Sequence, residues 1–241
     1  MEKTLTLDSI VDGDAGPDRA LIDAAHILAH QGHAGGLAGQ ITARYGDSCR
    51  MQTLALGRGF DEVSADDILL VDESWSVLEG RGRPNPGVRF HGAIYRDHPR
   101  VRAIVHTHSP SVSALSMLGI PMPVAHMDAA MFHADCGFLG HWPGVPTGDE
   151  EGELISGALA GHRSAMLTNH GIVCTGATLQ EAVYLAVFAE RNARMVLDAM
   201  AAGAIKHVDH RAAQEAHDFL LQPSIVNGTF AYWARQANRA A

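Results

Sequence analysis

His106 and His108 stand two residues apart in an otherwise apolar stretch, Val101-Arg102-Ala103-Ile104-Val105-His106-Thr107-His108. Side chains at i and i+2 of a β-strand point to the same face. Two imidazoles on such a strand can therefore converge on one metal ion without backbone strain. Val101, Ile104 and Val105 put the end of this strand at a core edge, where water is excluded. Asn169-His170-Gly171 offers a third candidate ligand, His170, at another strand end, with a glycine that allows close backbone approach. Three neutral imidazoles that leave a coordination position open describe a catalytic metal site rather than a structural one. Each motif alone has a plainer reading: one core and one surface histidine for the pair, and a turn residue for His170. The combination carries the metal assignment.

Those histidines need strands and helices to hold them. Residues 17–33 read as a helix, opened by Pro17 and Asp18, with Leu21, Ala24, Ala25 and Leu28 at helical spacing. The segments ITARYGD and MQTLALG read as two strands around a turn at Gly46-Asp47, and DDILLVDESWSVLEG as a strand, a turn and a short strand. Asn85 caps a helix whose first position is Pro86, and that helix ends before Pro99. The strand with the His106 pair stops at Ser109-Pro110, where another helix runs to Gly119. DEEGELISGALAG is a helix with acidic residues in its first turn. SAMLTNHGIVCTG is two short strands around Asn169-His170-Gly171. Residues 178–202 form a long helix with a Thr178/Glu181 capping box, followed by a helical tail from about residue 204 to 241. Interleaved helices and strands make the fold mixed α/β, with a mostly antiparallel sheet and helices on both sides, in a single domain over 1–241.

Composition narrows the function classes. The 241 residues carry 18 basic and 27 acidic side chains, a net charge of −9, with 46% apolar and 19% charged residues. This suits an ordered globular chain and argues against a nucleic-acid partner. No apolar run approaches the roughly 20 residues that span a bilayer, and the acidic N-terminus lacks a secretion signal. Cys49, Cys136 and Cys174 are too scattered for a disulfide framework or a paired-cysteine zinc site. The expected setting is the cytoplasm, with no membrane partner. Fifteen histidines, not gathered in a tract, favour metal chemistry.

From about Asp66 to Glu190 the chain resembles the class II aldolase/adducin family, also called fuculose-phosphate aldolase-like. The likeness runs through DDILLVDE, Arg89-Phe90-His91, Tyr95, IVHTHSP and TNHGIV followed by the long helix. It implies an α/β/α sandwich around a central, largely antiparallel sheet, and a homotetramer with active sites between subunits. His106, His108 and His170 fall on the family's metal-binding histidines. The implied cofactor is a divalent metal ion, zinc first, with manganese, cobalt or iron as alternatives.

The departures from the family pattern bear on substrate. Members that cleave sugar phosphates look like Pro-Ser-Ser-Glu before the Arg-Phe-His, with the Glu as acid/base. This chain reads Pro84-Asn85-Pro86-Gly87. Gly87 can neither move a proton nor bind metal, and Gln40 stands where the early glycine-rich loop has Asn. The resemblance thus points to a small-molecule substrate that is not a sugar phosphate. Gly39 and Gln40 are expected to frame a carboxylate or carbonyl, and Asn85 and Tyr232 to contact substrate, Tyr232 from a neighbouring subunit's tail.

In the segment AHMDAAMFHADCGF, His126 and Asp128 are two apart and can share one face of a strand. They are the first candidates to replace the missing acid/base, with a polar surface or interface loop as the alternative. His91 is a further candidate on its helix, with a structural role as the alternative. Tyr95, Tyr184 and Phe188 read as core, Arg191 and Arg194 as a solvated or interface face, and Cys174 as a buried hydrophobe. The expectation is a metal-dependent carbon–carbon lyase, aldolase or decarboxylase, acting on a non-phosphorylated oxo- or hydroxy-carboxylic acid. The alternatives are a non-haem iron oxygenase on the same scaffold and a non-catalytic, adducin-like interaction protein.

Overall fold

The computed structural model describes residues 17–33, 35–46, 48–145 and 148–240. Eight strands form one sheet: β1 (Gly39–Arg44), β2 (Met51–Leu54), β3 (Ile68–Val71), β4 (Val77–Glu79), β5 (Ala103–Thr107), β6 (Cys136–Leu139), β7 (Ser164–Leu167) and β8 (Gly171–Gly176). Their spatial order is β4-β3-β2-β1-β5-β8-β7-β6. Every pairing is antiparallel except β6 with β7. The mostly antiparallel sheet expected from the sequence is present, and the strand carrying His106 lies near its centre.

The α-helices among the described residues are α1 (Pro17–Leu28), α2 (Arg89–Asp97), α3 (Pro110–Ser116), α4 (Asp149–Leu159), α5 (Leu179–Ala202), α6 (His210–Leu220) and α7 (Pro223–Ala240). Strand alternation sorts the core into two layers. Ile41, Val105, Ile172 and Cys174 pack with α1, α3, α5 and α7. Ile104, Val173, Ala165 and Leu69 pack with Phe90, Ile94 and Tyr95 of α2 and Ile155 and Leu159 of α4. Each fully buried Leu or Ile contributes on the order of 1.5–3 kcal/mol, so both layers hold the central strands firmly.

Several elements differ from the sequence expectation. The first helix is α-helical only to Leu28. A π-turn over Ala29–His33 follows, in which Gly32 takes φ +88° and ends the run. The capping box of α5 is split. Thr178 Oγ1 accepts the Glu181 N–H at 3.2 Å, whereas Glu181 reaches the N–H of Ala177. The tail is two helices after an extended stretch, α6 capped by Asp209 and α7 packed on α1 and α5.

The segment proposed to carry His126 and Asp128 on one strand face is instead a 3-10 helix, Met127–Phe132. His126 is its N-cap and accepts the Asp128 N–H on Nδ1 at 3.1 Å. The side-chain cap competes with strand pairing, so the i, i+2 argument does not apply here. The strand in this region, β6, begins only at Cys136. It is a short edge strand whose burial alternates but whose residues, Cys-Gly-Phe-Leu, carry no apolar/polar alternation to mark it. Asp47, half of the turn expected between β1 and β2, lies outside the described residues.

Candidate metal centre

His106 is on β5 and His108 just beyond its end, both projecting toward the α2 layer. His170 arrives from the turn between β7 and β8. Two local features bring that turn against β5. Asn169 adopts φ +55°, a left-handed conformation that Asn tolerates better than most residues. Gly171 passes so close to β5 that a Cβ there would lie 2.6 Å from the Thr107 carbonyl oxygen.

The three rings form a nearly equilateral cluster, with centroids 4.9, 4.7 and 4.7 Å apart. One ligand nitrogen from each lies within 4.8 Å of the others. The Nε2 atoms of His106 and His108 are 3.1 Å apart, close to the roughly 3.3 Å between ligands of a tetrahedral ion with bonds near 2.05 Å. His106 Nδ1 donates to the Ile172 carbonyl at 2.9 Å, which leaves Nε2 as the lone-pair nitrogen facing the cluster. Burial holds His170 down at about 4, and His108 below the usual histidine range. Burial first, then neighbouring histidines, hold His106 well below it. All three are neutral at pH 7, the protonation state that ligates metal. The residues present thus fit a divalent ion bound by three imidazoles.

Behind the cluster, Phe90 sets its ring edge-on to His106 with centroids 5.2 Å apart. His91 is fully buried beside it. Its Nδ1 meets Thr42 Oγ1 at 2.8 Å, and that hydroxyl also meets Tyr95 Oη at 2.8 Å. Burial pushes His91 down to about 3. It ties α2 to β1 and does not line the cavity in front of the triad.

That cavity has a volume of about 590 Å³. Its lining includes the three histidines, Asn169, Gln40, Asn85, Gly87 and an apolar wall of Leu37, Trp142 and Val145. Among the described residues that line it there is no Lys, Arg, Asp, Glu, Ser or Thr. Gln40 and Asn85 therefore stand at the cavity as expected. Asn85 also works as a cap, its Oδ1 accepting the Gly87 N–H at 3.0 Å and its Nδ2 donating to the Leu37 carbonyl at 3.2 Å. Gly39 is adjacent but faces the Phe60 ring, 3.0 Å from where its Cβ would be.

The remaining candidates are not brought to the triad within the chain. His126 is exposed and Asp128 half-buried, and neither lines the cavity; the Asp128 carboxylate instead lies near enough to Tyr184 to raise its pKa, after burial. Tyr232 is half exposed on α7, its Oη accepting from Gln236 Nε2 at 2.8 Å. Its neighbour Trp233 packs on Tyr184 and Phe188 in the core. Sequence reasoning passed over Leu37, Trp142 and Val145. An aromatic residue in the His141-Trp142-Pro143-Gly144 loop is the signal that could have found the wall.

Comparison with known proteins agrees with this geometry. Residues 19–197 match the model of the Class II Aldolase and Adducin N-terminal domain. The chain is 32% identical over 173 residues, 72% of its length and 76% of the relative's, to a 5-methylthioribulose-1-phosphate/5-deoxyribulose-1-phosphate aldolase of Rhodospirillum rubrum. It is 29% identical over 184 residues, 74% of its length and 67% of the relative's, to the decarboxylase NovR of Streptomyces niveus. In structure it superposes on the L-fuculose 1-phosphate aldolase of Glaciozyma antarctica with a TM-score of 0.87, at 24% identity, covering 98% of this chain and 97% of that one. No helix among the described residues is long and apolar enough to cross a membrane.

Proposed function

The chain belongs to the class II aldolase and adducin family, and on that premise we propose that it is a metal-dependent carbon–carbon lyase acting on a non-phosphorylated oxo- or hydroxy-carboxylic acid. Lyase chemistry is supported by relatives that include both an aldolase and a decarboxylase. The observation that carries the finer reading is the cavity itself: a neutral histidine triad facing walls in which none of the described lining residues offers a hydroxyl or cationic side chain for a phosphate.

His106, His108 and His170 would hold the ion, zinc in the first instance. A divalent ion held there would supply Lewis acidity toward negative charge on a substrate oxygen. Leu37, Trp142 and Val145, each more than half exposed in the single chain, offer an apolar surface beside the triad. With glycine at 87, none of the described residues that line the cavity carries a carboxylate. Decarboxylation suits such a site, because loss of CO2 leaves an electron pair on carbon that a proton from water can quench, without a strong base. His126, Asp128 and Tyr232 are off the cavity of their own chain. The homotetramer reading has Tyr232 reach the site of a neighbouring subunit from the tail.

The test is turnover of a panel of hydroxy- and oxo-carboxylic acids, followed by release of CO2 or aldehyde, with and without chelator and with and without oxygen. Chelator-sensitive, oxygen-independent release is expected. Turnover of sugar phosphates alone would overturn the substrate reading, and strict oxygen dependence would replace the lyase with the oxygenase.

A further inference from the structure

The tail helix α6 docks through a narrow face. His210, Ala213, His217 and Leu220 recur at i, i+3, i+7 and i+10, so they share one side of the helix. Its buried residues are Ala213 and Leu220, so apolar packing contributes little, and the two histidines make polar contacts at either end. His217, in the last turn, places Nε2 3.2 Å from Asp135 Oδ2. His210, at the first position, places Nδ1 2.6 Å from Nε2 of His133.

His133 and Asp135 come from the short turn between the 3-10 helix and β6. Ala134 between them takes φ +52°, a left-handed conformation that costs a residue with a Cβ about 1–2 kcal/mol. The turn holds both of its neighbours against α6. The rings of His133 and His210 are tilted by 46° with centroids 4.7 Å apart, the same spacing as two of the ring pairs in the triad. An ion with bonds near 2.05 Å needs its ligand nitrogens about 2.9 Å apart at a right angle and about 3.3 Å apart in a tetrahedron. A small rotation of the exposed His210 ring supplies the difference. His133 is half-buried, so an ion can reach the pair and water can complete its shell. The positive end of the α6 dipole would oppose a cation. The Asp209 carboxylate offsets it, accepting the N–H groups of Arg211 and Ala212 at 3.0 and 3.4 Å. No third histidine, cysteine or carboxylate among the described residues joins the pair within ligand distance. Neither ring lines the cavity of His106, His108 and His170.

We propose that His133 and His210 form a second site for a divalent transition-metal ion of the kind imidazole prefers, zinc or copper, and that the ion fastens α6 to the turn before β6. Two protein ligands hold an ion less tightly than three, so this site is weaker than the triad. The proposal does not rest on the lyase reading.

The test is calorimetric titration of the chelator-stripped full chain with zinc. Two equivalents are expected, the second at least about tenfold weaker than the first. His133→Ala and His210→Ala should each abolish the second equivalent and keep the first. His106→Ala/His108→Ala should keep the second alone. Amide exchange across His210–Leu220 should slow about tenfold at zinc about ten times the second Kd, since protection scales with ligand concentration over Kd. His210→Ala should show no such slowing. A single equivalent in the wild type, or a second that persists in both single variants, overturns the site. A second equivalent that leaves the exchange of α6 unchanged overturns the fastening role.

Discussion

The Nε2 atoms of His106 and His108 face one another at 3.1 Å, and the Ile172 carbonyl holds the His106 ring in that orientation. Two neutral imidazole nitrogens that close are held by an N–H on one of them or by a cation shared between them, and burial keeps both rings neutral and able to ligate. Protein purified without nickel resin or added metal is expected to carry about one divalent ion per chain, measured by mass spectrometry. His106→Ala/His108→Ala should lose it. Full occupancy in that double variant would remove the triad as the site.

Acid should release the metal late. His170 titrates at about 4 and His106 lies well below the usual range, so protons do not compete for the ligands near pH 7. Affinity for zinc, by competition with a chromophoric chelator corrected for its own titration, should change little near pH 7 and fall most steeply toward pH 4, where His170 takes up its proton. A steep fall centred near 6.5 would mean the triad is solvated.

Folding stability of the metal-free protein should drop over the same acid side. His91 and His33 are held at about 3 and about 4 by burial, whereas in the unfolded chain each takes a proton near 6.5. Below that value the unfolded state binds more protons, so stability is lost as pH falls from about 6.5 toward the folded values. Each such histidine adds up to about 1.4 kcal/mol per pH unit to the slope. Urea unfolding at several pH values measures it. A His91→Phe variant with an unreduced slope would contradict the assignment.

Gly171→Ala tests how the turn is seated. Its Cβ would meet the Thr107 carbonyl at 2.6 Å, a backbone atom that cannot rotate away. A loss of about 1–3 kcal/mol in unfolding free energy is expected, with weaker metal binding as His170 shifts from its partners. Wild-type metal affinity in a folded Gly171→Ala protein would show that β8 adjusts without moving the ligand.

Trp142→Ala tests the apolar wall. The side chain is about half exposed, so stability should change by less than about 0.5 kcal/mol. KM for an aryl-substituted acid should rise about tenfold, while that for a small aliphatic acid should hardly change. Equal effects on both would mean that the loop matters for shape rather than for contact.

The sequence by itself determined the mixed sheet, the three metal-ligand candidates and the loss of a carboxylate at position 87. Those signals are local. The i, i+2 spacing of His106 and His108, the turn at Asn169-His170-Gly171 and the apolar spacing of α5 act within one element, where period and propensity decide the outcome. Tertiary structure decided which residues share the site. Gln40 reaches Gly87 only through the β1–β5 register, and Leu37 and Trp142 meet only where distant loops converge on the same strand ends. The same three-dimensional packing sends His91 inward to Thr42 and leaves His126 and Asp128 out of the cavity lining. Register and packing arise from contacts between residues far apart in the chain, and no local pattern in the sequence encodes them.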